Sequence, residues 1–290
     1  MNQSNLKKLQ NLLKEKDIDI FVINRSDEYL NEYISPNAER LNFITNFSGS
    51  AGRAIITPTD AFLYVDGRYT FQANTQINAK EIQAKHLNSF WTDLEKILLE
   101  EEYKIALDPT LHSIIEIEKV EKMLENSTSQ LQLIDKNFVD LIWENQPKTQ
   151  YTDIFDHPTS FAGQGRREKL DILKKFLDQN EIDHYFVSGL DNIAWLLNLR
   201  ADDIKYTPLL YSYLLISKNN KHSLYIKESS MPEILKKEIQ TLININNIEN
   251  IGSIFNNINS SESIGLDFNS TTYYFLDLLR KQKINSKNLA

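Results

Sequence analysis

At 290 residues the chain is too long for one small core, and about 150 residues per domain implies roughly two domains. Hydrophobic residues at 41% with charged residues at 25% describe a globular chain and exclude the disordered and fibrous classes. The formal net charge of −8 argues against a nucleic-acid partner, and the absence of cysteine excludes disulfides, thiolate metal sites and a cysteine nucleophile.

Met1 to Asp17 is amphipathic and lacks the apolar core of a secretory signal. No stretch approaches the length needed to span a bilayer, so a cytoplasmic protein without a membrane partner is expected. Leu6, Leu9, Leu12 and Leu13 recur at helical spacing and predict an opening amphipathic helix, with Ile18 to Ile23 following as a strand. Phe43-Ile44-Thr45, Ala54 to Thr57 and Ala61 to Val65 are three short β-rich runs parted by turn chemistry, which predicts local antiparallel pairing. After Asp66-Gly67-Arg68-Tyr69 the pattern becomes helical through Phe71, Ala73 and Ile77. Ile105 to Asp108 is a further strand, ahead of a helix from Ile114 to Leu124. The first domain should end near Leu141-Ile142-Trp143, with the linker in Glu144 to Pro158, a polar run without a clear period. The expected domains are 1–148 and 160–290.

The second half repeats the first in outline. The helix Glu168 to Gln179 precedes the strand His184 to Ser188, as the opening helix precedes Ile18 to Ile23. The run Ile193 to Leu197 is a short helix after a Gly189 turn, with Asp191 as N-cap and Trp195 in the core. Arg200, which closes it, has an ion pair with Asp202 or Asp203 as its structural role. Leu209 to Ser217 and Ser223 to Ile226 are paired strands across an Asn219-Asn220 turn, and Ser263 to Asp267 is a late strand. A helix through Tyr273, Phe275, Leu276 and Leu279 then runs into Lys-rich sequence.

Asp66-Gly67-Arg68-Tyr69 stands where an apolar strand hands over to a helix, and two accounts fit it. In the structural one, Asp66 caps the helix, Gly67 permits the turn and Arg68 forms an ion pair. In the functional one, Arg68 projects from the sheet edge and its planar guanidinium clamps a peptide carboxylate or carbonyl. Ser48-Gly49-Ser50-Ala51-Gly52 does not fit a nucleophile elbow, has no nearby base, and is taken as a tight turn. The histidines His86, His112, His157, His184 and His222 are scattered without ligand spacing, so neither a metal site nor a catalytic residue is expected in this chain. Glu100-Glu101-Glu102, Asp202-Asp203, Lys7-Lys8 and Arg166-Arg167 are taken as solvated faces.

Glu32 to Pro36, Arg40 to Gly52 and Asp66-Gly67-Arg68-Tyr69 occur in an order that resembles the first domain of three-domain Xaa-Pro aminopeptidases. Leu190 to Arg200, continued by Asp203-Ile204, Pro208 and Tyr211-Ser212-Tyr213, is similar to the second domain of that family. The resemblance implies an α/β fold of two tandem creatinase N-terminal-like domains, each a mixed, mostly six-stranded β-sheet flanked by helices. It implies a third, C-terminal catalytic domain of pita-bread fold, with two divalent ions (Mn or Zn) on two Asp, one His and two Glu, beyond this chain. It also implies a peptide substrate, a homodimer, and contact of Arg68 with bound peptide, in the neighbouring subunit's active site. The chain alone is then expected to be inactive, and an apolar patch is expected on the second domain where the third would cover it. A stand-alone binding or assembly module, and the N-terminal part of a prolidase or creatinase relative, are the alternatives.

Overall fold

A computed structural model describes residues 3–219 and 221–289. In chain order the first half holds α1 (Asn5–Glu15), β1 (Ile20–Asn24), α2 (Arg40–Thr45), β2 (Gly52–Ile56), β3 (Ala61–Val65), α3 (Thr70–Gln76) and β4 (Gln83–His86). It continues with α4 (Phe90–Glu100), β5 (Lys104–Leu107), α5 (Ile114–Leu124), β6 (Gln130–Leu133) and α6 (Phe138–Ile142). The second half holds β7 (Phe155–Asp156), α7 (Thr159–Ala162), α8 (Arg166–Gln179), β8 (His184–Val187), α9 (Leu190–Leu197), β9 (Leu199–Arg200) and β10 (Tyr213–Ser217). There follow β11 (His222–Ile226), α10 (Glu233–Ile239), β12 (Ile243–Asn247), β13 (Ser263–Leu266), α11 (Tyr273–Lys281) and β14 (Asn285–Asn288).

Two six-stranded sheets result, ordered β4-β3-β2-β1-β5-β6 and β12-β11-β10-β8-β13-β14. Their strand directions correspond one for one. β1 pairs antiparallel with β2 and parallel with β5, as β8 does with β10 and β13. The outer pairs β3·β4, β5·β6, β11·β12 and β13·β14 are all parallel. The chain therefore carries one mixed α/β design twice, and its contacts divide it into units of residues 1–28 with 36–148 and 29–35 with 149–290.

The recurrence is visible in how helices hand over to strands. α1, α8 and α11 each end with a residue of positive φ, at Asp17, Glu181 and Lys283, followed by an isoleucine. The amides of Ile18, Ile182 and Ile284 bond the carbonyls of Leu13, Leu177 and Leu279, and all six side chains are buried. This is the Schellman closure, with its apolar contact across the turn fixing where the next strand starts.

Expectations are corrected at three places. Phe43-Ile44-Thr45 closes the helix α2, because Arg40, Leu41, Ile44 and Thr45 form its buried face and Asn46 in the left-handed region stops it. Leu209 to Ser212 precedes β10, since the Tyr211 amide donates to Asp203 Oδ2 (2.9 Å) instead of a neighbouring strand. Gly189, not Asp191, is the N-cap of α9, and Trp195 is 55% exposed, turned out of the core. The Lys-rich end of the sequence carries β14, paired along β13. The turn between β10 and β11 includes Asn220, which lies outside the described residues.

Candidate functional site

The central strands β1, β2 and β3 of the first sheet are mostly apolar and buried, and the polar turn considered first stands where β3 ends. β3 runs into Asp66, whose Oδ1 accepts from the Arg68 amide (3.0 Å) and from Arg68 Nε (2.8 Å). These bonds hold the Asp66 carboxyl below its usual range. The Arg68 guanidinium lies 5.8 Å from the centre of the Tyr69 ring, and its side chain is 73% exposed. Cap and ion pair thus both exist, and they set the plane of an exposed, permanently charged fork. Such a fork can engage a carbonyl or carboxylate in two-pronged fashion. Gly67 is not in the left-handed region; a Cβ there would stand 3.3 Å from His86 Nε2, a tight contact.

The loop Ser48 to Gly52 braces this turn. Tyr69 Oη and Ser50 Oγ are 2.8 Å apart, and Tyr69 meets Phe47 edge-on at 5.7 Å. A Cβ on Gly49 would lie 2.2 Å from Phe47 Cζ and 2.9 Å from Tyr69 Cδ1, so the chain hugs the two rings only because that residue has no side chain. Ser48 Oγ accepts from Gln72 Nε2 (3.1 Å) and Gln76 Nε2 (2.8 Å), which ties the loop to α3.

The first unit also holds two polar clusters that motif reading did not single out. Arg40 donates from Nε and Nη2 to both Asp140 oxygens (2.8 and 3.0 Å) and from Nη2 to Glu28 (3.1 Å). Arg53 donates to Glu116 Oε1 (2.6 Å) and packs over the rings of Phe90 and Trp91. Glu116 also closes the capping box of α5 with Ser113. Asp140 lies 100 residues from Arg40, which is why spacing gave no signal.

In the second unit Arg200 donates to the carbonyls of Ala194 (2.5 Å) and Leu199 (2.9 Å), correcting the expected pairing with Asp202 or Asp203. Asp203 is not a solvated face: it accepts from the Thr152 amide (2.7 Å), Thr152 Oγ1 (2.9 Å) and the Tyr211 amide. Arg166, expected on a solvated face, is mostly buried and pairs with Asp156 and Glu238. A cleft of about 200 Å³ opens beyond the carboxyl ends of β8 and β13, lined by Ser188, Asn192, Trp195 and Asp267 among others. Crevices of α/β sheets form at such places, where neighbouring strands send the chain in opposite directions. Asp267 is spent within its own loop, accepting from the Asn269 amide and Ser270 Oγ.

Among the described residues no group of three or more His, Asp or Glu side chains could hold a metal ion. None of their helices is long and apolar enough to cross a membrane.

Comparison with known proteins places these observations. The family model described as creatinase/prolidase N-terminal domain matches residues 5–136, and a second model of the same description matches residues 145–289. A probable Xaa-Pro aminopeptidase P of Paracoccidioides brasiliensis is 34% identical over 81% of this chain and 38% of its own length. One of Sordaria macrospora is 35% identical over 79% of this chain and 38% of its own. The solved X-prolyl aminopeptidase of Caenorhabditis elegans, described as a cytosolic enzyme with a di-nuclear active site, superposes with a TM-score of 0.90 at 24% identity. It covers 98% of this chain and 50% of its own, a likeness of fold. The chain thus spans well under half the length of these curated relatives.

Proposed function

Because the chain belongs to the creatinase/prolidase N-terminal domain family, we propose that it forms the non-catalytic N-terminal region of a cytosolic Xaa-Pro aminopeptidase, with domains at 1–148 and 160–290. The observation that carries this reading is the tandem pair of family domains in a chain whose curated relatives bear that enzyme's name. The parent removes the first residue of peptides with proline second. Metal-activated hydroxide is its nucleophile, on two divalent ions (Mn or Zn) in a C-terminal catalytic domain. No step of that hydrolysis is assigned to side chains of this chain. Its residues serve dimerisation and peptide recognition, and the exposed Trp195, Ile172 and Phe176 of the second unit supply apolar surface for the catalytic domain to cover.

Arg68 is the residue proposed to touch substrate, at the rim of an active site in the neighbouring subunit. Support comes from its exposure and from Asp66, which orients the fork without burying it. The test is steady-state kinetics of Arg68→Ala in the longer protein that carries the catalytic domain. The expected result is a loss of kcat/KM for Xaa-Pro peptides of about tenfold or more, the size of one charge-assisted hydrogen bond. Unchanged kcat/KM rejects the assignment.

A further inference from the structure

A second cleft in the 149–290 unit has the opposite chemistry to the chain as a whole. It encloses about 310 Å³ between α8 and the starts of β11 and β12, and is lined by Arg167, Asp171, Lys174, Lys221, His222 and Thr241 among others. Arg167, Asp171 and Lys174 are spaced so that one face of α8 presents all three. Neither Arg167 nor Lys174 enters an ion pair among the described residues, whereas the neighbouring Arg166 and Lys218 do. Lys221 Nζ donates to the Gln240 carbonyl (2.5 Å), which steadies one cation at the mouth.

The floor is built from a buried histidine. His222 is 4% exposed, and its Nδ1 accepts from the Ser217 amide (3.1 Å). That bond fixes the ring proton on Nε2 and makes the other edge of the ring a donor. The cleft therefore offers a guanidinium fork, two ammonium groups and an imidazole N–H against a single carboxylate, Asp171. In a protein of net charge −8 this is a local excess of donors, which concentrates anions at the cleft.

We propose that this cleft binds a multivalent oxyanion of the phosphate or polyphosphate type, held by Arg167, Lys174 and Lys221 with His222 donating from its floor. Its volume exceeds what a single chloride needs, and planar two-pronged recognition by Arg167 favours phosphate oxygens over a spherical ion. The proposal is independent of the peptidase reading, because it involves neither Arg68 nor a catalytic domain.

The test is calorimetric titration of the full 290-residue chain with inorganic pyrophosphate, against sodium chloride at matched ionic strength, together with NMR of the His222 ring. Saturable binding beyond the chloride control is expected, with a shift of the His222 signals. Lys174→Glu should weaken it at least about tenfold, as loss of a charge-assisted bond and addition of a repelling charge require. Arg167→Gln, at an exposed position, gives a second reading should Lys174→Glu disturb folding. Binding no stronger than matched chloride, or undiminished binding in both folded variants, overturns the proposal.

Discussion

Replacing Arg40 by alanine removes the hub of the first unit's polar network. The Arg40 side chain is 7% exposed and holds both oxygens of Asp140, itself 30% exposed, and one oxygen of Glu28, 37% exposed. Breaking a buried ion pair by deleting one partner costs about 3–5 kcal/mol, because the charge left behind is stranded. Here the abandoned carboxylates retain some water, which places the loss near the lower end, about 3 kcal/mol. For a chain of this size about 2–4 °C is lost per kcal/mol, so the melting temperature should fall by about 6–12 °C. Urea unfolding followed by tryptophan fluorescence provides the assay, since Trp91 and Trp143 belong to this unit. Asp140→Asn closes a double-mutant cycle whose coupling should exceed about 1 kcal/mol. A cost for Arg40→Ala below about 1 kcal/mol, additive with Asp140→Asn, would refute the reasoning.

Acid should destabilise the fold before its carboxylates are reached. Burial, reinforced by nearby Lys174, pulls the His222 pKa down to about 4, and burial moves His112 in the same direction. A depressed folded pKa means that the unfolded chain takes up the proton first. Stability is therefore complete above about pH 6.5 and falls toward pH 4, by up to about 3 kcal/mol from His222. Melting temperatures across that range should drop less steeply for His222→Gln, and identical slopes would contradict the assignment. Lys283→Gly, at a left-handed position closing α11, should raise stability by about 0.5–1 kcal/mol in chemical denaturation. A loss of stability there would show that the Schellman closure is not what sets the turn.

Much of the fold was legible because central strands and long helices advertise themselves. Every residue of β1 is buried, and the amphipathic period of α1 and α5 marks their extents within a residue or two. The edge strands β4, β6, β12 and β14 were not legible. Their sequences Gln83–His86, Gln130–Leu133, Ile243–Asn247 and Asn285–Asn288 are rich in polar residues and only partly buried, as suits strands at a sheet margin that must discourage further pairing. Phe43-Ile44-Thr45 misled because β-propensity reports side-chain fit to a half-buried surface, and one face of a short helix satisfies the same demand. At the candidate site, the Asp66–Arg68 pairing could be read from adjacency alone. The partners of Asp203 and Arg166 could not: Thr152 is 51 residues from Asp203, and Glu238 is 72 from Arg166. Burial of a charged group is decided by such distant partners, and local charge patterning carries no record of them.

The proposed division of labour between this chain and a metal-bearing domain is tested most directly by assaying the purified 290-residue protein on an Xaa-Pro peptide with manganese or zinc supplied. No turnover above the metal-only rate is the predicted result, while the longer protein cleaves the same peptide. Steady multiple-turnover release of the first residue by these residues alone would contradict the account.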